Sequence, residues 1–188
     1  MDTETHGVEE RSAITRPRAQ ELGKYLLGAA FVALCAQIVI PIKPVPFTMQ
    51  TFAVFFLAAK LGAKGSVYAL LLYLSAGIAG LPVFSRLGAG MEVLLAPTGG
   101  YLLGFVPAAY FTGSVLQRFT KKSFLTCLLA GLVGEGVLML CGASRLAAFV
   151  GWPKAYALGV APFLLTDLLK LTAFACVARE RSPRKFLR

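Results

Sequence analysis

LGKYLLGAAFVALCAQIVI, residues 22–40, runs directly into PIKPVP, residues 41–46. The first stretch holds one charge, Lys24, and is about as long as the ~20 apolar residues that a bilayer-crossing helix needs. The second places Pro41, Pro44 and Pro46 within six residues, and no helix continues through such a run. A membrane helix that stops abruptly sets the pattern for the rest of the chain. Of its 188 residues, 57% are hydrophobic and only 15% charged, with mean hydropathy +0.71. Soluble domains carry roughly 25% charged residues, so an ordinary soluble enzyme, a disordered chain and a secreted disulfide scaffold are excluded.

The pattern predicts five further spans. The second covers about 47–61 and is short. A basic turn with Lys60, Gly62, Lys64 and Gly65 separates it from the third, about 67–79, which ends at Gly80-Leu81-Pro82. A longer loop over 83–96 follows, with the amphipathic run Met91-Glu92-Val93-Leu94-Leu95 folding back on the protein. The fourth span opens at Pro97, a residue suited to a first helical turn, with Thr98 as a polar partner for free backbone groups, and ends near 116. The fifth covers about 124–141. Residues 142–153, with Arg145 and the interfacial Trp152, form a connection, and the sixth span covers about 155–178. The expected protein is an all-α integral membrane protein of six transmembrane helices. Residues 1–20 read as a flexible cytoplasmic tail, 21–179 as the six-helix membrane domain and 180–188 as a basic cytoplasmic tail.

Charge sets the orientation. With the N-terminus inside, 14 Lys and Arg fall in inside segments and four outside (Lys43, Arg86, Arg145 and Lys154), while Lys170 lies within a span. This is the positive-inside bias, and it places both termini in the cytoplasm. The net charge of +10 forms no continuous patch, so nucleic acid is not an expected partner. The cysteines Cys35, Cys127, Cys141 and Cys176 sit in apolar segments without metal-ligand spacing, and the one histidine, His6, lies in the tail. No metal site, catalytic triad or Walker-type phosphate loop is present in the sequence. The chain is not expected to be an enzyme or to hydrolyse ATP by that device.

Charges inside spans cost about 2.5–3.5 kcal/mol each at a helix centre, so they mark a partner or a function. Asp167 and Lys170 stand i,i+3 on one face of the sixth span. Either they neutralise one another, or they form a polar floor on which Asp167 accepts N–H groups and Lys170 donates to a carbonyl or carboxylate. Glu135, between Gly134 and Gly136, pairs with a cation such as Lys170 or Arg145, titrates neutral, or couples protons. Ala29 and Ala33, with Ala36 beyond, make a small-residue face suited to internal packing or to a partner helix.

Four motifs carry a resemblance. Val45-Pro46-Phe47-Thr48-Met49-Gln50-Thr51, Gly80-Leu81-Pro82-Val83-Phe84, Pro97-Thr98-Gly99-Gly100-Tyr101-Leu102-Leu103-Gly104-Phe105 and Asp167-Leu168-Leu169-Lys170 stand in an order and spacing that resemble the BioY family. These are the biotin-binding S components of energy-coupling factor (ECF) transporters. The resemblance implies six helices, an outward-facing biotin pocket, a multi-pass protein of the bacterial-type inner membrane, and no ATPase or cofactor of its own, biotin being cargo. It implies that Asp167 and Lys170 hold the ligand's polar groups, with Thr48, Gln50, Phe84, Gly99, Gly100 and Tyr101 at the site. It implies that Ala29 and Ala33 dock the transmembrane coupling subunit, which works with partner ATPases. After Phe84 this chain departs from the family's glycine-rich loop and reads Ser85-Arg86-Leu87-Gly88-Ala89-Gly90, which offers Arg86 for the ligand carboxylate. The competing functional reading is a self-sufficient vitamin transporter, facilitative or coupled to protons through Glu135 or Asp167. A structural subunit without a ligand is the third.

Overall fold

The computed structural model describes residues 19–40 and 44–179. The expectations for most of the two tails, and for His6, Pro41 and Lys43, lie outside the described residues. Seven helices and one two-stranded hairpin make up the described part: α1 Ala19–Gln37, β1 Val39–Ile40, β2 Phe47–Thr48, α2 Gln50–Ile78, α3 Met91–Leu95, α4 Gly99–Gln117, α5 Phe124–Val150, α6 Trp152–Gly159 and α7 Phe163–Ala178. α1 stops before the prolines as expected. The strands around them pair antiparallel, Val39 with Thr48 and Ile40 with Phe47, which returns the chain to the helix end it left.

α2 is not a straight rod. At 1.5 Å per residue a rod would hold Gln50 and Tyr73 about 34 Å apart, yet Gln50 Nε2 donates to Tyr73 Oη at 2.7 Å. The chain reverses at Gly62, whose φ of 71° and ψ of −177° are non-helical and essentially restricted to glycine. Two antiparallel arms result, 50–61 and 63–78, so the basic turn read from Gly62 is real.

Two predicted boundaries and one predicted capping role are corrected. α5 continues to Val150 rather than stopping at Cys141. Gly142 does not break it; a Cβ there would stand 2.2 Å from the Tyr101 ring, so this glycine makes room for a neighbour. The sixth span is broken into α6 and α7, bent by 46° across the intervening residues. Thr98 precedes α4 without capping it through its side chain. By contrast, Ser123 does cap α5, accepting from Thr126 N at 3.1 Å. The fold-back of 91–95 is observed as α3, with Leu94 buried.

Among the described residues, α4 and α5 are each long and apolar enough to cross a bilayer, α2 is so only when counted end to end across its reversal at Gly62, and the bent pair α6–α7 adds one more if it acts as one span. α7 displays the inverted pattern of a membrane helix. Phe163, Asp167, Lys170, Leu171 and Phe174 face inward, while Leu164, Leu165, Leu168 and Leu169 are exposed, which suits a hydrocarbon solvent. The basic segments gather at one end. Lys122 Nζ donates to Ala59 O at 2.9 Å, and a Cβ on Gly113 of α4 would stand 2.6 Å from Ala63 N. The Gly62 turn and the 118–122 loop are therefore neighbours. At the other end of the first arm, Gln50 and Thr51 line the cavity described next.

Candidate ligand-binding site

Two hydrogen-bonded groups build the polar wall. The first begins at the hairpin: Thr48 Oγ1 donates to Gln50 Oε1 at 3.0 Å and accepts from Gln50 N at 3.3 Å, while the Gln50 amide reaches Tyr73. Thr48 and Gln50 are both buried, and this chain of bonds satisfies them, as buried polar groups require. The second group centres on Lys170. Its ammonium donates to Asp167 Oδ1 at 2.7 Å and to Thr51 Oγ1 at 3.0 Å, and stands 3.9 Å from the centroid of the Phe47 ring. Lys170 and Asp167 are 6% and 3% exposed, deep enough that removal of either partner would strand the other charge.

Both groups line one cavity of about 190 Å³, along with Phe84, Ser85, Arg86, Tyr101 and Phe163. Seven of the residues predicted for the site meet there: Asp167, Lys170, Thr48, Gln50, Phe84, Arg86 and Tyr101. Gly99 and Gly100 are not on its wall. They let α4 pack closely: a Cβ on Gly99 would fall 1.9 Å from Leu94 O, and one on Gly100 2.4 Å from Arg145 Cβ. Glu135 lies within electrostatic reach of Asp167 and Lys170, off the cavity wall. Ala29 and Ala33 are half-buried against the core and Ala36 is fully buried, all away from the cavity.

Aromatic side chains are held by glycine. The Tyr101 ring packs against Gly142, and its hydroxyl donates to Gly159 O at 2.7 Å. The Phe84 ring lies against Gly77 and edge-on to Tyr73, 5.5 Å between centroids. Beyond Phe84 the chain makes a short 3-10 turn, Ser85–Leu87, in which Arg86 (φ 61°) and Leu87 (φ 56°) are left-handed although neither is glycine. Such a conformation costs roughly 1–2 kcal/mol per residue. The buried Ser85 hydroxyl has no partner among the described residues.

The sequence reading did not name Thr51 and Ser85, which also line the cavity, nor Phe47, Tyr73 and Gln37, which contact residues that line it, as site residues. Gln37, the last residue of α1, donates from Nε2 to Phe84 O at 3.1 Å and accepts at Oε1 from Leu87 N at 3.1 Å. A lone amide at the end of an apolar run was the available signal. The cavity thus pairs a buried acceptor and donor at its floor with an exposed guanidinium at its mouth, separated by aromatic surface. This suits a small molecule that is polar at both ends and apolar between them.

Comparison with known proteins bears on the family of the chain and on its fold. The profile of the BioY family matches residues 8–185. The biotin transporter BioY of Thermotoga maritima is 39% identical over 160 residues, covering 85% of this chain and 94% of that protein. The biotin transporter BioY2 of Lactococcus lactis is 36% identical over 146 residues, covering 77% and 80%. Among solved structures, the S-component for biotin from an ECF-type ABC transporter superposes with a TM-score of 0.78 at 23% identity, over 85% of this chain and 89% of that one. By its sequence over most of its length, the chain belongs to the BioY family.

Proposed function

We propose that this chain is the biotin-capturing membrane subunit of an ECF-type uptake system, energised by a transmembrane coupling subunit and ATPase subunits. The observation that carries the reading is the meeting of Asp167, Lys170, Thr48, Gln50, Tyr101 and Arg86 in one cavity. Biotin has a ureido ring, an apolar sulfur ring and chain, and a carboxylate. Asp167 accepts the ureido N–H groups and Lys170 donates to the ureido oxygen, while Tyr101 and Phe84 cover the apolar parts and Arg86 takes the carboxylate through two hydrogen bonds. The names of the curated relatives support biotin as the ligand.

In this reading the protein crosses the inner membrane six times, with α1, the two arms of α2, α4, α5 and the α6–α7 pair as spans. Both termini are cytoplasmic. The basic turn at 60–64 and the 118–122 loop lie at one end of the molecule, and the cavity lies at the other, which agrees with a pocket that opens outward. Ala29 and Ala33 dock the coupling subunit. Titration calorimetry of the purified chain against biotin and a panel of other vitamins tests the proposal. Saturable binding confined to biotin, weakened by amidation of its carboxylate, is expected. Absence of binding, or equal binding of unrelated vitamins, would overturn it.

A further inference from the structure

The segment Phe84–Gly88 closes on itself, Phe84 N donating to Gly88 O at 3.0 Å, and its root is fixed by the buried Phe84 ring. Its tip is strained, with two consecutive left-handed residues that are not glycine, and Arg86 and Leu87 are exposed. Something must hold the tip in this shape. Within the described residues, the side-chain bonds from outside the loop to its backbone come from Gln37, which grips Phe84 O and Leu87 N on either side of Ser85 and Arg86. The grip is itself oriented, since Gln37 Nε2 also donates to Ala33 O at 3.2 Å, one turn back along α1.

We propose that Gln37 is a positioning residue: it latches the outer loop so that Arg86 and the unpartnered Ser85 hydroxyl face the cavity mouth, and it ties that loop to α1. The ligand part of this inference rests on the biotin reading above; the latch itself does not. With the amide removed, the strained tip relaxes, the loop opens more often, and Arg86 no longer holds its place.

The experiment has two arms on the purified full chain, with Gln37→Ala and the nearly isosteric Gln37→Met, so that one folded variant suffices. In the first, without ligand, trypsin cleavage after Arg86 is timed against cleavage after the exposed Arg118 in the same tube. Proteolysis of this kind tracks the population of open loop. Cleavage after Arg86 should quicken about tenfold, the scale of two lost hydrogen bonds, with the Arg118 rate unchanged. In the second arm, affinities for biotin and its amide are compared in wild type, Gln37→Ala, Arg86→Ala and the double variant. The preference for the acid should shrink in Gln37→Ala, and adding Arg86→Ala should remove little more, because the two act as a unit. Equal Arg86 cleavage in wild type and variant overturns the latch. Faster cleavage with an undiminished acid preference overturns the positioning role. Wild type that binds no biotin overturns the functional proposal and leaves the first arm to decide the latch.

Discussion

Lys170 divides its ammonium between Asp167, Thr51 and the face of Phe47, so the two readings of the D-x-x-K pair are not exclusive. The charges neutralise one another, and both line the cavity. Asp167→Asn keeps the shape and an acceptor oxygen for Lys170 but loses the charge. A charge-assisted bond contributes about 1.5–3 kcal/mol, so biotin affinity should fall roughly 10- to 150-fold, read by calorimetry, with the helical circular-dichroism spectrum kept but the thermal midpoint lowered, because the buried Lys170 charge loses its counter-charge. Unchanged affinity in the folded variant would take Asp167 out of the site. Glu135 is off the cavity wall but within electrostatic reach of Asp167 and Lys170, so Glu135→Gln should weaken biotin binding less than Asp167→Asn does; loss of uptake with binding intact would favour the proton-coupled alternative. The sequence made Asp167 and Lys170 legible because a charge in an apolar run needs a reason. Thr51 was not legible as a partner, because its contact with Lys170 joins residues 119 positions apart and hydroxyls are common in spans.

The elements show where periodic reading succeeds and where it stops. Apolar runs bounded by proline or basic turns located α1, α4 and both arms of α2 within a few residues, since burial in lipid demands such runs. Gly62 and Gly142 look alike in the sequence, yet one reverses the chain and the other sits inside α5. The difference lies in what each meets: Gly62 has a backbone conformation closed to other residues, and Gly142 has the Tyr101 ring pressed on it. Gly62→Ala would force a Cβ into that conformation and to 2.5 Å from Gln117 Nε2. Backbone strain of this kind costs on the order of 1–3 kcal/mol, so the thermal midpoint in detergent should drop by several degrees. An unchanged midpoint would mean that the turn can be rebuilt in another shape.

For the whole molecule, the arrangement separates a ligand end from a basic end and leaves α1 along one side. Replacing Ala29 or Ala33 with Leu enlarges a half-buried position outside the cavity. Biotin binding by the isolated chain should survive, while co-purification with the coupling subunit and ATP-driven uptake should fall. Ala36→Leu is the control: at a fully buried site, overpacking costs about 1–3 kcal/mol and should lower stability whether or not a partner is present. If the Ala29 and Ala33 variants assemble normally, that face serves internal packing alone. The single-residue reversal at Gly62 has a consequence for how the protein is made. The arm 50–61 rises only about 18 Å, short of the roughly 30 Å hydrocarbon thickness, and it has no slack before the arm 63–78 begins. On the six-span reading proposed above, neither arm is long enough to be integrated alone, so the two should enter the membrane together as one hairpin. A force recording on the nascent chain should register their insertion as a single step, with no plateau at the turn.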